Sequence, residues 1–133
     1  MAPPPSRTTL TLVRHGEATW NVARRLQGHR DDSVLTDAGR AQARAAADTL
    51  VGGYDSIVAS DLARARETAE VIAGVLGVDV ALNVAWRERD LGDIEGDPLA
   101  AATPELVGIA RGVIVDLDAA PAGGESLREF AER

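Results

Sequence analysis

The chain has 133 residues and a mass of 13.9 kDa, enough for one domain and too short for two ordinary ones. Apolar residues at 45% and charged residues at 26% exclude a disordered or fibrous chain. A net charge of −7, from 14 basic and 21 acidic residues, argues against nucleic acid or an acidic membrane surface as a partner.

No apolar run approaches the roughly 18 residues of a membrane-spanning helix. The N-terminal MAPPPSRTTLTLV has no apolar signal core, so a cytoplasmic location is expected. Cysteine is absent, which excludes disulfides and thiolate metal sites. Every basic residue apart from the histidines is an arginine. A compositional bias explains the total, but arginine's planar fork suits phosphate or carboxylate, so the positions carry the information.

Residues 1–8 read as a disordered, Pro-rich leader, and 9–133 as the N-terminal portion of a single domain. Leu10–Val13 is β-prone and stops at Arg14-His15-Gly16, the pattern of a strand running into a loop. The polar stretch from Glu17 to Asp32 has Trp20, Val22 and Leu26 as apolar anchors. Thr36 is placed to cap a helix running to about Leu50, which Gly52-Gly53 ends. A second strand is expected over Ser56–Ala59.

Ser60 then reads as the N-cap of a helix over Asp61–Leu76, with one apolar stripe at helical period and Gly77 as its stop. Val78–Leu82 is a third strand. Residues 83–103 read as a charged, glycine-rich loop, and Pro104–Asp116 as a further helix. Ser126 with Glu129 is a capping box opening a helix about one turn before the last residue, so the chain reads as interrupted there. Alternating strands and helices predict an α/β fold with a parallel sheet and right-handed crossovers. Ligands of such sheets sit beyond the carboxyl ends of the strands, here Arg14-His15-Gly16 and Ser60-Asp61.

His15 is the first candidate for chemistry, as a nucleophile or a general base at a strand end. A metal site is disfavoured, because the only other histidine is His29. Arg64 falls in the first turn of the helix after the second strand. If the first two strands are neighbours, Arg14, His15, Arg64 and the free amides of that helix start converge into an anion site, and phosphate is the natural guest. Taken alone, Arg64 reads as a solvated residue paired with Glu67 or Asp61. Glu88 lies in the charged Trp86–Asp90 loop and is the candidate proton donor for a leaving alkoxide.

These residues fall into blocks. Arg14-His15-Gly16-Glu17 with Trp20 and Asn21, Gln27-Gly28, Leu35-Thr36 and Gly39 form the first. Ser60-Asp61-Leu62-Ala63-Arg64-Ala65 with Glu67-Thr68-Ala69, then Arg87-Glu88-Arg89 with Leu91-Gly92 and Glu95-Gly96, and finally Gly123-Gly124-Glu125-Ser126 follow in order. The set resembles the histidine phosphatase superfamily, also called phosphoglycerate-mutase-like, over residues 10–126.

The resemblance implies a three-layer α/β/α fold with a mostly parallel sheet whose last strands lie outside this chain. It implies a phosphatase acting on small phosphomonoesters through a phosphohistidine on His15. Arg14 and Arg64 would bind the phosphoryl oxygens and Glu88 would protonate the leaving group. Asn21, Gln27, Gly28 and Arg89 would line the substrate pocket, and neither metal nor organic cofactor would be required. The alternatives are a phosphoglycerate-type mutase, or an impaired phosphate-binding member. The last arises because the family carries a second histidine in an S-H-G motif after the GGES block, and this sequence has no histidine beyond His29. A sheet edge left unpaired by the missing strands would also leave room for a homodimer.

Overall fold

A computed structural model of the chain describes residues 7–133, apart from 51, 112, 114 and 115. The expected leader therefore falls largely outside the described residues. Only Arg7 and Thr8 of it are described, and both are exposed.

The centre of the fold is a pair of helices against a small parallel sheet. Helix α1 spans Thr19–Val22 and α2 spans Asp37–Thr49. Strand β1, Ile57–Ala59, leads into α3, Ala63–Leu76, which returns to β2, Val80–Leu82. The strands are parallel, with Ile57 beside Val80 and Ala59 beside Leu82. Short α4, Pro104–Ala110, and α5, Leu127–Glu132, complete the order. The fold is α/β, as expected.

Helix α2 starts where expected: the Thr36 hydroxyl accepts from Gly39 N at 3.0 Å. Its buried residues are Gly39, Ala43 and Ala47, a period of four that forms one narrow face. That face packs on α3, which buries Ala69, Ile72 and Ala73. Small residues on both helices let the backbones approach closely. Gly77, at φ +70°, ends α3 in the left-handed conformation and donates to Ala73 O at 2.8 Å.

The structure corrects two expectations. Leu10–Val13 has no sheet partner among the described residues, and Leu10, Leu12 and Val13 are exposed. A β-prone run becomes a strand only when a neighbour supplies the ladder. The helix after β1 also starts two residues late, at Ala63 with Leu62 as its N-cap, because a distant carboxylate caps it. Asp31 accepts from Ala63 N, while Ser60 Oγ accepts from Leu62 N at 3.2 Å.

The loop expected over 83–103 contains three single turns of 3₁₀ helix, at Val84–Trp86, Gly92–Ile94 and Leu99–Ala101. Helix α4 ends at Ala110, short of the expected Asp116; residues 112, 114 and 115 of that expected span lie outside the described set. The capping box at α5 is present: Glu129 N donates to Ser126 Oγ at 3.2 Å, and Ser126 N to Glu129 Oε2 at 2.7 Å.

Candidate active site

His15 sits half-buried at the end of the extended N-terminal segment. Its Nδ1 lies 2.7 Å from Gly16 O. A carbonyl can only accept, so Nδ1 carries the proton and Nε2 keeps its lone pair. That is the tautomer a nucleophilic imidazole needs. Burial lowers the His15 pKa below its ordinary value, and the Gly16 hydrogen bond works against that shift. The charges of Arg64 and Arg14 lower it further, while Glu88 raises it. His15 is thus electrostatically coupled to all three of the other catalytic candidates.

The His15 loop and Arg64 are joined without the strand pairing expected from sequence. Gly16 N donates to Thr68 Oγ1 at 3.1 Å, and Thr68 Oγ1 donates to Arg64 O at 2.7 Å, which fastens the His15 loop to α3. On its other side the loop presses on the start of α2. A Cβ on Gly16 would collide with the backbone of Gly39, and one on Gly39 would collide with Glu17.

Arg64 is 3% exposed. Its Nη2 donates to Gly28 O at 2.9 Å, and its Nη1 is buried without a hydrogen-bond partner among the described residues. The pairing read from sequence is absent, because both carboxylates are engaged elsewhere. Glu67 holds Arg40 at 2.8 Å, and Asp61 takes both ends of the Arg87 fork. Burial lowers the Arg64 pKa from its ordinary value, against the pull of Glu88, Asp31 and Glu95. An arginine buried this far keeps its charge, so Nη1 is a cationic donor ready for an anion.

The free amides expected at the start of α3 are partly taken, since Asp31 and Ser60 accept from Ala63 N and Leu62 N. Arg14 and Glu88 are exposed. Glu88 Oε1 accepts from Arg89 N at 2.8 Å, so the carboxylate is held back against its own loop.

Among the pocket candidates, Gln27, Glu88 and Arg89 line one cavity of about 260 Å³, walled by Leu91, Leu106, Ile109, Leu127 and Phe130. Gln27 Oε1 is buried there without a partner among the described residues. Arg89 is 5% exposed and mainly binds protein: Nε donates to Glu125 O at 2.8 Å, and Nη2 to Glu105 Oε1 at 2.8 Å and to Ala119 O at 3.1 Å. Its Nη1 has no partner among the described residues. Gly28 contributes its carbonyl to Arg64, and its missing Cβ makes room for Glu95. Asn21 acts locally, its Oδ1 accepting from Ala18 N at 2.8 Å across the start of α1.

Sequence reasoning passed over three residues that build the site. Thr68 ties the His15 loop to α3. Asp31 caps α3. Glu95, 5% exposed, accepts from His29 N and Leu91 N through Oε1 and from Arg30 N through Oε2, at 2.8, 2.9 and 2.6 Å. Thr68 and Glu95 stand within the motif blocks and Asp31 between them, but their roles join segments far apart in the chain. Among the described residues no cluster of three or more His, Asp or Glu side chains could hold a metal ion.

The model for the histidine phosphatase superfamily (branch 1) matches residues 10–133. The chain belongs to the histidine phosphatase superfamily. Among its relatives are proteins named probable phosphoglycerate mutase GpmB from Salmonella typhi and Salmonella paratyphi B. Each is 39% identical over 124 residues, covering 92% of this chain and 57% of the relative. The chain thus spans rather more than half the length of the curated relatives it matches.

Solved structures of the family agree. A phosphoglycerate mutase from Thermus thermophilus superposes with a TM-score of 0.71 at 37% identity, over 90% of this chain and 64% of that one. A protein titled mycobacterial hydrolase 1 gives 0.75 at 38% identity, over 89% and 57%. No helix among the described residues is long and apolar enough to cross a membrane.

Proposed function

We propose that the protein transfers the phosphoryl group of small phosphomonoesters to His15 and releases it to water. The observation that carries this reading is the buried Nη1 of Arg64, which has no partner among the described residues and whose charge acts on a His15 imidazole protonated at Nδ1. In the first step Nε2 attacks phosphorus, an N–P bond forms and the ester P–O bond breaks. Arg64 and Arg14 neutralise the charge on the equatorial oxygens, and the Glu88 carboxyl gives its proton to the departing alkoxide. In the second step the Glu88 carboxylate takes a proton from water as its oxygen attacks phosphorus. The N–P bond breaks and inorganic phosphate leaves.

The mostly apolar cavity beside Glu88 supports an organic leaving group of modest size. The names of the relatives favour a second reading, a mutase that returns the phosphoryl group to another hydroxyl of the bound product. Incubation with 3-phosphoglycerate and a bisphosphoglycerate primer separates the two. Net release of inorganic phosphate supports the phosphatase, and isomerisation to 2-phosphoglycerate supports the mutase. A folded protein that binds phosphate and does neither is a binding-only member of the family.

A further inference from the structure

His29 lies outside the group of residues read as catalytic, yet both nitrogens of its ring face oxygen acceptors. Nε2 is 2.8 Å from Glu88 O, and Nδ1 is 3.3 Å from Asp90 Oδ2. The Glu88 carbonyl can only accept, so Nε2–H donates to it, while the Asp90 carboxylate lies beside Nδ1. The base of the ring is equally fixed, since His29 N donates to the buried Glu95.

The neighbouring residue on this loop is Gly28, whose carbonyl holds Arg64. Two residues of one turn therefore grip the two halves of the site: Gly28 the phosphoryl-binding guanidinium, His29 the backbone of the proton donor. Arg133 adds a second donor to Glu88 O at 2.8 Å and one to Arg87 O at 3.1 Å.

We infer that His29 is a positioning residue, which sets Glu88 against the phosphoryl pocket by clamping its carbonyl from the loop that holds Arg64. The inference rests on the reading of Glu88 as the proton donor. The clamp acts through Nε2–H, and Arg133 Nη2 is a second donor to the same carbonyl. The charged groups facing the ring are Asp90, Asp61 and Glu125, with Arg133 as the opposing cation beside it.

The leaving group tells a positioning role from a merely structural one. An aryl phosphate expels a stable phenolate and needs little help from an acid, whereas an alkyl phosphate needs the proton in the transition state. The test measures phosphorylation of residue 15 in the full chain from p-nitrophenyl phosphate and from n-butyl phosphate. His29→Ala is expected to lose about tenfold or more on the butyl ester and less than about twofold on the aryl ester. His29→Gln, which places one amide donor near Nε2, is expected to recover most of the loss. An equal loss on both esters overturns the inference.

Glu88→Gln is the control for the underlying reading and must show the same selectivity. If it treats both esters alike, the proton-donor role of Glu88 fails, and a second measurement decides on His29 alone. The chain has two histidines, so ring-nitrogen NMR signals are assigned by removing each in turn. The His29 Nε2–H proton is expected at a hydrogen-bonded position, and the backbone amides of Glu88 and Arg89 are expected to move in His29→Ala and to stay near their parent positions in His29→Gln. Amides of Glu88 and Arg89 that do not move in His29→Ala overturn the clamp.

Discussion

Arg64 donates to Gly28 O at 2.9 Å with one arm of its guanidinium and leaves the other arm buried, with no partner among the described residues. Removing a charge of this size from water costs several kcal/mol unless partners compensate. Here the compensation is incomplete, and under the proposed function the spare donor awaits a phosphoryl oxygen. Arg64→Met is therefore expected to lower the rate of His15 phosphorylation by about 10²–10³-fold, the cost of losing one preorganised donor to a developing oxyanion. Its thermal midpoint should change little, because relief of a partly compensated buried charge is offset by loss of the hydrogen bond to Gly28 O. Calorimetry beside the kinetic assay checks both halves.

The same atom predicts stabilisation by inorganic phosphate. A ligand at ten times its Kd stabilises the folded state by about 1.4 kcal/mol. Thermal unfolding of the parent chain in rising phosphate should show a progressive increase in midpoint. Arg64→Met should show little or none.

His15 sets a pH dependence whose sign is fixed by its lowered pKa. Under the proposed function neutral imidazole is the nucleophile, so the acid limb of the phosphorylation rate should lie below about pH 6.5, the ordinary histidine value. Burial is the largest cause and the two arginines add to it. Replacing Arg14 by Gln removes one positive charge and should move the limb upward. For stability, the unfolded chain binds the extra proton between the folded pKa and about 6.5, so His15 lowers stability as pH falls through that window and has no further effect below it. NMR titration of the His15 ring in the parent and in Arg14→Gln measures both pKa values directly.

Much of this arrangement can be read locally. The Thr36 cap, most of the apolar stripe of α3 and the Gly77 stop depend on residues within a few positions of one another and are found where the periodicity puts them; the face of α2 is not, since Ala38, Ala41 and Ala45 of its apolar set are exposed and Gly39, Ala43 and Ala47 are buried instead. What could not be read depends on distant partners. Leu10–Val13 has every local mark of a strand and no ladder among the described residues. Ser60 has the local mark of an N-cap, yet Asp31, 32 positions away in sequence, takes Ala63 N and moves the helix start. The charges of Glu67 and Asp61 are well spaced to pair with Arg64, but arginines from other elements reach them first.

Glycines at close backbone contacts give a further prediction. A methyl group on Gly16 meets the main chain of Gly39, which has no flexible end to move aside. Gly16→Ala should destabilise the fold by about 1–3 kcal/mol through this overpacking. It should also displace His15, which is joined to Gly16 both by the chain and by the Nδ1 contact. Denaturant unfolding gives the first quantity, and loss of the His15 Nδ1–H signal from its hydrogen-bonded position gives the second.

Glu95 is the buried carboxylate on which the Gly28–Arg30 turn and Leu91 rest. Glu95→Gln places an amide donor against backbone donors, and the lost charged hydrogen bonds should cost about 1.5–3 kcal/mol. The turn it supports carries both Gly28 O and His29, so activity should fall together with stability. Parallel denaturant and kinetic measurements on the variant check the link.

The most direct test of the central claim is to trap the phosphorylated protein. The chain is incubated with a 32P-labelled phosphomonoester and quenched in base, where a phosphohistidine survives, and in acid, where it is lost. The account predicts base-stable, acid-labile label confined to the peptide containing residue 15, absent in His15→Ala and strongly reduced in Arg64→Met. Label that survives acid, maps to another residue or persists in His15→Ala would contradict it.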